Sequence, residues 1–191
     1  MRLTEGALIA IMLAGATLVA AQDDAPIFAH LMSISFEGTA DAVAEGAQVT
    51  VTGAEAMKYA PGRLGQAGDF MEGGCLTYEN LPALDMQSGT IELWLNSGHD
   101  GRELTDHYFL SFTNADGSSG IEIKFYQVEM SIQVVMWGPR GKVSRYGGGW
   151  AKEAWQHFVV CWDATNPSGA TLGLYRNGAE TGYPATYKAP D

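Results

Sequence analysis

The sequence predicts an all-β protein of many short antiparallel strands, a sandwich or a barrel, and three observations carry that expectation. Gly89 to Leu95 (Gly-Thr-Ile-Glu-Leu-Trp-Leu) and Trp155 to Asp163 (Trp-Gln-His-Phe-Val-Val-Cys-Trp-Asp) alternate side chains along an extended backbone. Ile91, Leu93 and Leu95 then share one face of the first segment, and Phe158, Val160 and Trp162 one face of the second. The chain holds 24 glycines and few patterns of helical period, which divides it into short strands and turns. Turn chemistry recurs between apolar segments, at Asp100-Gly101, Asn114 to Gly117, Gly138-Pro139, Gly147 to Gly149 and Asn177-Gly178.

Taken in order, the N-terminus reads as a processing signal over residues 1–21. Arg2 precedes an apolar run from Ala7 to Ala20, and the small residues Ala20 and Ala21 precede Gln22. The run falls short of the ~20 apolar residues that cross a bilayer, Asp23 and Asp24 follow at once, and no cysteine sits at the cut for a lipid anchor. Cleavage after Ala21, a linker over 22–29 and one domain over 30–191 are expected. Strands follow near His30 to Glu37, Gln48 to Thr52, Gly68 to Met71, Cys75 to Glu79, Gly89 to Asn96 and His107 to Asn114. Further strands are expected near Gly120 to Tyr126, Met130 to Met136, Lys142 to Tyr146, Trp155 to Trp162 and Thr171 to Arg176. Asp41 to Gln48 is Ala-rich but short and carries Gly46, so it reads as a loop or a single turn.

The 191 residues carry a net charge of −11, and the leader removes one acid and one base, so the mature chain keeps that charge. Such a surface repels phosphate backbones and anionic membranes, and it keeps an exported protein soluble. Cys75 and Cys161 both fall in expected strands. They pair only if those strands bring their Cα atoms within ~7 Å, and two isolated, buried thiols are the favoured state.

Five motifs in order extend the reading: Ile34 to Gly38, Tyr59 to Ala67 with Phe70, Gly89 to Trp94, Trp155 to Asp163, and Leu172 to Gly178. This order resembles the laminin G-like jelly-roll domains of the concanavalin A-like lectin/glucanase superfamily, the bacterial extracellular kind in particular, over essentially the whole mature chain. The resemblance implies two antiparallel sheets face to face and a concave face that in many relatives holds a sugar or a calcium-dependent ligand. Relatives continue past the hairpin at Asn177-Gly178 to a closing strand that pairs with the first. Either this sequence is a fragment lacking that strand, the favoured reading, or the strand near Met32 to Phe36 has an unpaired edge.

Candidate chemistry is sparse. Glucanases need two carboxylates on one strand face, ~5 Å apart for retention, and Glu92 is followed on its face by Trp94 and Asn96. No nucleophile elbow, His-Glu-x-x-His or Cys-x-x-Cys occurs, so a non-catalytic module is expected. His157, between apolar neighbours, reads as a hydrogen-bonded, partly buried histidine. His99, Asp100, Asp106 and His107 form a loop cluster best read as solvated. For calcium, the resemblance points to loop carboxylates, and Asp100, Asp106 and Asp116 are the candidates. For a sugar, aromatic rings stack on pyranose faces. Trp94, Trp155 and Trp162 are assigned to the core, while Trp137, Tyr146 and Trp150 flank the Gly-rich segment Gly138 to Gly149 and are the candidate platform. The expectation is a secreted, cell-surface or periplasmic binding module whose partner is a polysaccharide or glycoconjugate, the alternative being an adhesion module that docks another extracellular protein.

Overall fold

A computed structural model describes residues 2–4, 7–15, 29–44, 46–98, 102, 105–128, 130–139, 141–148, 151–166, 171–182 and 185–186, with side chains described from Met32 to Gly182. The strands are β1 (Arg2–Thr4), β2 (Ala7–Gly15), β3 (Ala29–Ile34), β4 (Ala42–Ala44), β5 (Thr50–Thr52), β6 (Lys58–Pro61), β7 (Gln66–Asp69) and β8 (Cys75–Glu79). After these come β9 (Ser88–Ser97), β10 (His107–Thr113), β11 (Gly120–Tyr126), β12 (Ser131–Gly138) and β13 (Gly141–Gly147). The last are β14 (Trp155–Asp163), β15 (Thr171–Arg176), β16 (Ala179–Glu180) and β17 (Ala185–Thr186). One 3-10 turn, Ala54–Ala56, is the sole helical element among the described residues.

Two antiparallel sheets face each other, as the alternation required. One has the order β13-β12-β11-β10-β1-β8-β5; the other runs β16-β15-β14-β9-β2-β3-β4, with β7 joined to β2, β6 to β7, and β17 to β15. Ile91, Leu93 and Leu95 on β9 and Phe158, Val160 and Trp162 on β14 are all at most 2% exposed. They meet Ile121, Ile123, Phe125, Ile132, Val134 and Met136 of the facing sheet in one apolar core. The eleven expected strands are all present to within a few residues, whereas β4 forms inside the segment read as a loop. Its three residues gain their pattern from pairing with β3, a tertiary contact that outweighs weak local preference.

Turn residues behave as their chemistry requires. Asn177 (φ 51°) and Gly178 (φ 82°) are both left-handed, the pair of conformations that a two-residue hairpin needs to match strand twist. At the β6–β7 hairpin the Gly62 N–H donates to the Gly65 carbonyl at 2.9 Å. Gly65 is left-handed there, with φ 61°.

The expected signal segment is built into both sheets. β1 lies between β10 and β8, and β2 lies between β9 on one side and β3 with β7 on the other. The strand at Met32 therefore has a partner on each side, β2 and β4, and no open edge. Of the expected linker over 22–29, residues 22–28 lie outside the described residues and Ala29 opens β3. Both cysteines are free, but Cys75 on β8 is exposed, contrary to the expectation of two buried thiols, because it begins its strand at the sheet's rim. Cys161 is half-buried in β14 of the other sheet.

Candidate functional site

The outer face of the seven-stranded sheet gathers the chain's best recognition chemistry. Alternation turns Ile121, Ile123 and Phe125 of β11 into the core and leaves Glu122, Lys124 and Tyr126 on the far face. Antiparallel partners share a face, and the register sets Lys124 opposite Gln133, Glu122 opposite Val135 and Gly120 opposite Trp137. Beyond them, Tyr146 is opposite Gln133, and Lys142 is opposite Trp137. On the other side a bulge between Tyr108 and Leu110 lets both Phe109 and Leu110 be buried, which returns Tyr108 to the outer face opposite Lys124.

The result is a connected aromatic and polar platform. The Lys124 ammonium lies 4.9 Å from the Tyr108 ring centre and 5.3 Å from that of Tyr126, within cation–π range. Tyr126 and Tyr146 are 5.8 Å apart with their planes tilted by 48°. Gln133 donates through Nε2 to the Tyr146 hydroxyl at 2.7 Å. Gln133 and Val135 are 6% and 2% exposed although they lie on the face turned away from the core. Tyr146 itself is 36% exposed.

Asp106 anchors one end of the platform. Its carboxylate accepts from Lys124 Nζ at 2.6 Å and from the Gln127 N–H at 3.2 Å. Burial opposes its charge, but these two donors outweigh burial and hold the carboxyl below its ordinary range. Burial likewise opposes the Lys124 charge, and the bond to Asp106 with the adjacent Tyr108 overcomes it, so that ammonium is held above its usual value. At the other end Trp137 donates through Nε1 to the Gly117 carbonyl at 3.2 Å. Its ring covers Gly120, where an added Cβ would stand 2.5 Å from Trp137 Cζ2. A cavity of about 430 Å³ opens beside that turn, lined by Leu81, Leu84, Met86, Phe112, Ser119 and Gly120.

Of the aromatic candidates, Trp137 and Tyr146 share this face, four residues or ~13 Å apart along the strands; Trp150 lies outside the described residues. The two described calcium candidates lie at opposite ends of β10. Asp106 precedes β10, whereas Asp116 sits in the turn after it, its Oδ1 accepting the Ser118 N–H at 2.9 Å; Asp100 lies outside the described residues. Among the described residues no three His, Cys, Asp or Glu side chains cluster as metal ligands. Lys124, Tyr126, Tyr108 and Gln133 are the residues that sequence reasoning missed. The alternation in Gly120 to Tyr126 placed Glu122, Lys124 and Tyr126 on one face, but the pairing register was needed to set them beside Tyr146.

A second constellation lies on the outer face of the other sheet. His157 Nε2 is 2.7 Å from Glu92 Oε1, and its ring stacks on Trp94 at 4.8 Å with a 25° interplanar angle. The Arg63 guanidinium is 5.6 Å from the Trp94 ring centre, and the His157 N–H donates to Asn177 Oδ1 at 2.9 Å. His157 is thus hydrogen-bonded and partly buried, as expected. Of the three tryptophans assigned to the core only Trp162 is buried, at 2% exposed; Trp94 and Trp155 are half-buried at the outward positions of β9 and β14.

Residues 72–191 match a family of laminin G type in the concanavalin A-like lectin/glucanases superfamily. The chain belongs to that family. No curated protein and no solved structure matches it. Membership agrees with the two-sheet jelly-roll sandwich and supports a lectin-like or binding-module role in general.

Proposed function

We propose that this laminin G-like domain is an exported, non-catalytic module that binds carbohydrate on the outer face of the seven-stranded sheet. The observation that carries the reading is the Tyr126–Tyr146 pair flanked by Lys124 and Gln133, with Trp137 farther along the same face. Rings supply flat apolar surface for a pyranose, and the amide and ammonium supply donors to hydroxyls. Glu92 is bonded to His157 instead of facing a second carboxylate, which supports binding over hydrolysis. The acidic chain disfavours nucleic acid as partner.

The test is a glycan array and affinity electrophoresis in neutral and acidic polysaccharides, comparing the parent with Tyr146→Ala, Trp137→Ala and Trp94→Ala. Retardation lost in the first two variants and kept in the third supports the reading. Retardation lost only in Trp94→Ala, or none at all, refutes it. Run in EDTA and in calcium, the same assay separates a platform that reads sugar alone from one that needs the ion. A second reading, docking of another extracellular protein, is favoured by Val128 and Met130, which are 67% and 58% exposed at the turn beside Tyr126.

A further inference from the structure

Midway along the aromatic platform stands Glu122. The pairing register draws a row across the outer face from Ser144 through Val135 and Glu122 to Ser111. That row is two residues, ~7 Å, from the row that holds Tyr146, Gln133 and Lys124, and as far on its other side from the row of Trp137 and Gly120. A chain of rings laid from Tyr146 to Trp137 therefore passes over Val135, with Ser144 on one flank and Glu122 on the other.

Glu122 is half-buried, and among the described residues it forms no hydrogen bond and no ion pair. The cation on its own strand, Lys124, is held by Asp106 at 2.6 Å. Of the other cations on the face, Lys142 is exposed opposite Trp137 at the sheet edge, and Arg2 takes the register position beyond Ser111. An ionised carboxylate offers acceptors only, so its ligand must bring donors. A sugar that covers Glu122 also strips water from it. Hydroxyl groups would satisfy the carboxylate oxygens yet leave the charge uncompensated, whereas an ammonium cancels the charge through a charge-assisted bond. A uronate or a sulfated sugar would set like charge against like, which selects against it.

We propose, resting on the carbohydrate reading above, that Glu122 determines the specificity of the platform, and that the sugar it selects carries a free, protonated amine, as in a hexosamine polymer without N-acyl groups. Tyr126 and Tyr146 supply the stacking common to any pyranose. Glu122 supplies the discrimination, and the net charge of −11 draws a polycation toward the chain.

The test is titration calorimetry of the whole chain with three β-1,4-linked hexasaccharides, of glucosamine, of N-acetylglucosamine and of glucuronate, at about pH 6, below the ~7.7 of an unperturbed α-amino group. The parent is compared with Glu122→Gln, Tyr146→Ala and Glu55→Gln. Glu55 is exposed in the 3-10 turn after β5, at the far edge of the sheet, and its variant removes the same charge. The glucosamine oligomer should bind roughly tenfold or more tighter than its acetylated counterpart. Glu122→Gln should abolish that preference, and Glu55→Gln should leave it intact. Equal affinity for the two oligomers, tighter binding of the glucuronate oligomer, or equal losses in Glu122→Gln and Glu55→Gln overturns the proposal. Binding of the acetylated oligomer that Tyr146→Ala abolishes, without preference for the amine, is a failure of the amine selection alone. Absence of binding to all three, or binding indifferent to Tyr146→Ala, overturns the platform as well, so the two failures are told apart.

Discussion

Arg145 lies on the inward face of β13 and is 3% exposed, an unusual place for a guanidinium. It is tolerated because its donors are matched at the open side of the sandwich. Nη1 donates to the Leu172 carbonyl at 2.5 Å, Nη2 to Glu180 Oε1 at 2.7 Å and to the Thr181 carbonyl at 3.1 Å. These acceptors belong to β15, β16 and the residue after β16, so one side chain pins the edge of one sheet to the edge of the other. Arg145→Ala would leave the buried Leu172 carbonyl without this donor, at ~1–3 kcal/mol, and would open space where the side-chain stem packs. Glu180 is 56% exposed, so its stranded charge is solvated and adds little. The expected loss is about 3 kcal/mol, a fall in Tm of roughly 6–12 °C for a domain of this size. Urea unfolding followed by tryptophan fluorescence measures it, with Glu180→Ala as companion at under ~1 kcal/mol. Equal losses in the two variants, or less than ~0.5 kcal/mol for Arg145→Ala, would refute the argument that the buried carbonyl contacts dominate.

Other outcomes follow from the same geometry. Gly120→Ala places a methyl group against the Phe112 carbonyl and the Trp137 ring, both 2.5 Å away; an overpacking cost of ~1–3 kcal/mol and a red shift in tryptophan emission are expected, and an unshifted spectrum with unchanged stability would contradict the packing described. Asp106 has its carboxyl pKa lowered on folding, so its contribution to stability is complete above the unfolded value of ~3.9 and is lost as pH falls through and below it. Asp106→Asn should therefore flatten the acid limb of a Tm-versus-pH curve between about pH 5 and 2, and an unchanged limb would show that other carboxylates govern it. Cys75 is exposed, while burial raises the Cys161 thiol. A colorimetric thiol reagent should titrate one cysteine fast and the other slowly in the native protein, and two equally slow thiols would place Cys75 wrongly.

Legibility in the sequence followed the range of the physics. Ile91, Leu93, Leu95, Phe158, Val160 and Trp162 were assigned to the core from alternation because strand period is a local property. Trp94 was misread from the same segment, since its place in a motif was given more weight than its even-numbered position. Lys124 and Tyr126 could be placed on one face, yet nothing within β11 says that β12 and β13 follow in a register that brings Gln133 and Tyr146 alongside. Asp106 looked available to a cation because its partner, Lys124, is 18 positions away and on another strand.

By itself, then, the sequence determined the strands, the turns and which side of each strand is apolar, all consequences of backbone geometry over a few residues. Tertiary structure decided what no local rule contains: that Tyr108, Tyr126 and Tyr146 meet around Lys124, that Glu92 is held by His157, and that Arg145 reaches across the sandwich. It also gave the N-terminal apolar run a second meaning. Its composition marks it as a leader, whereas its position between β9 and β3 arises because unpaired ladder groups on two distant strands require a third to satisfy them.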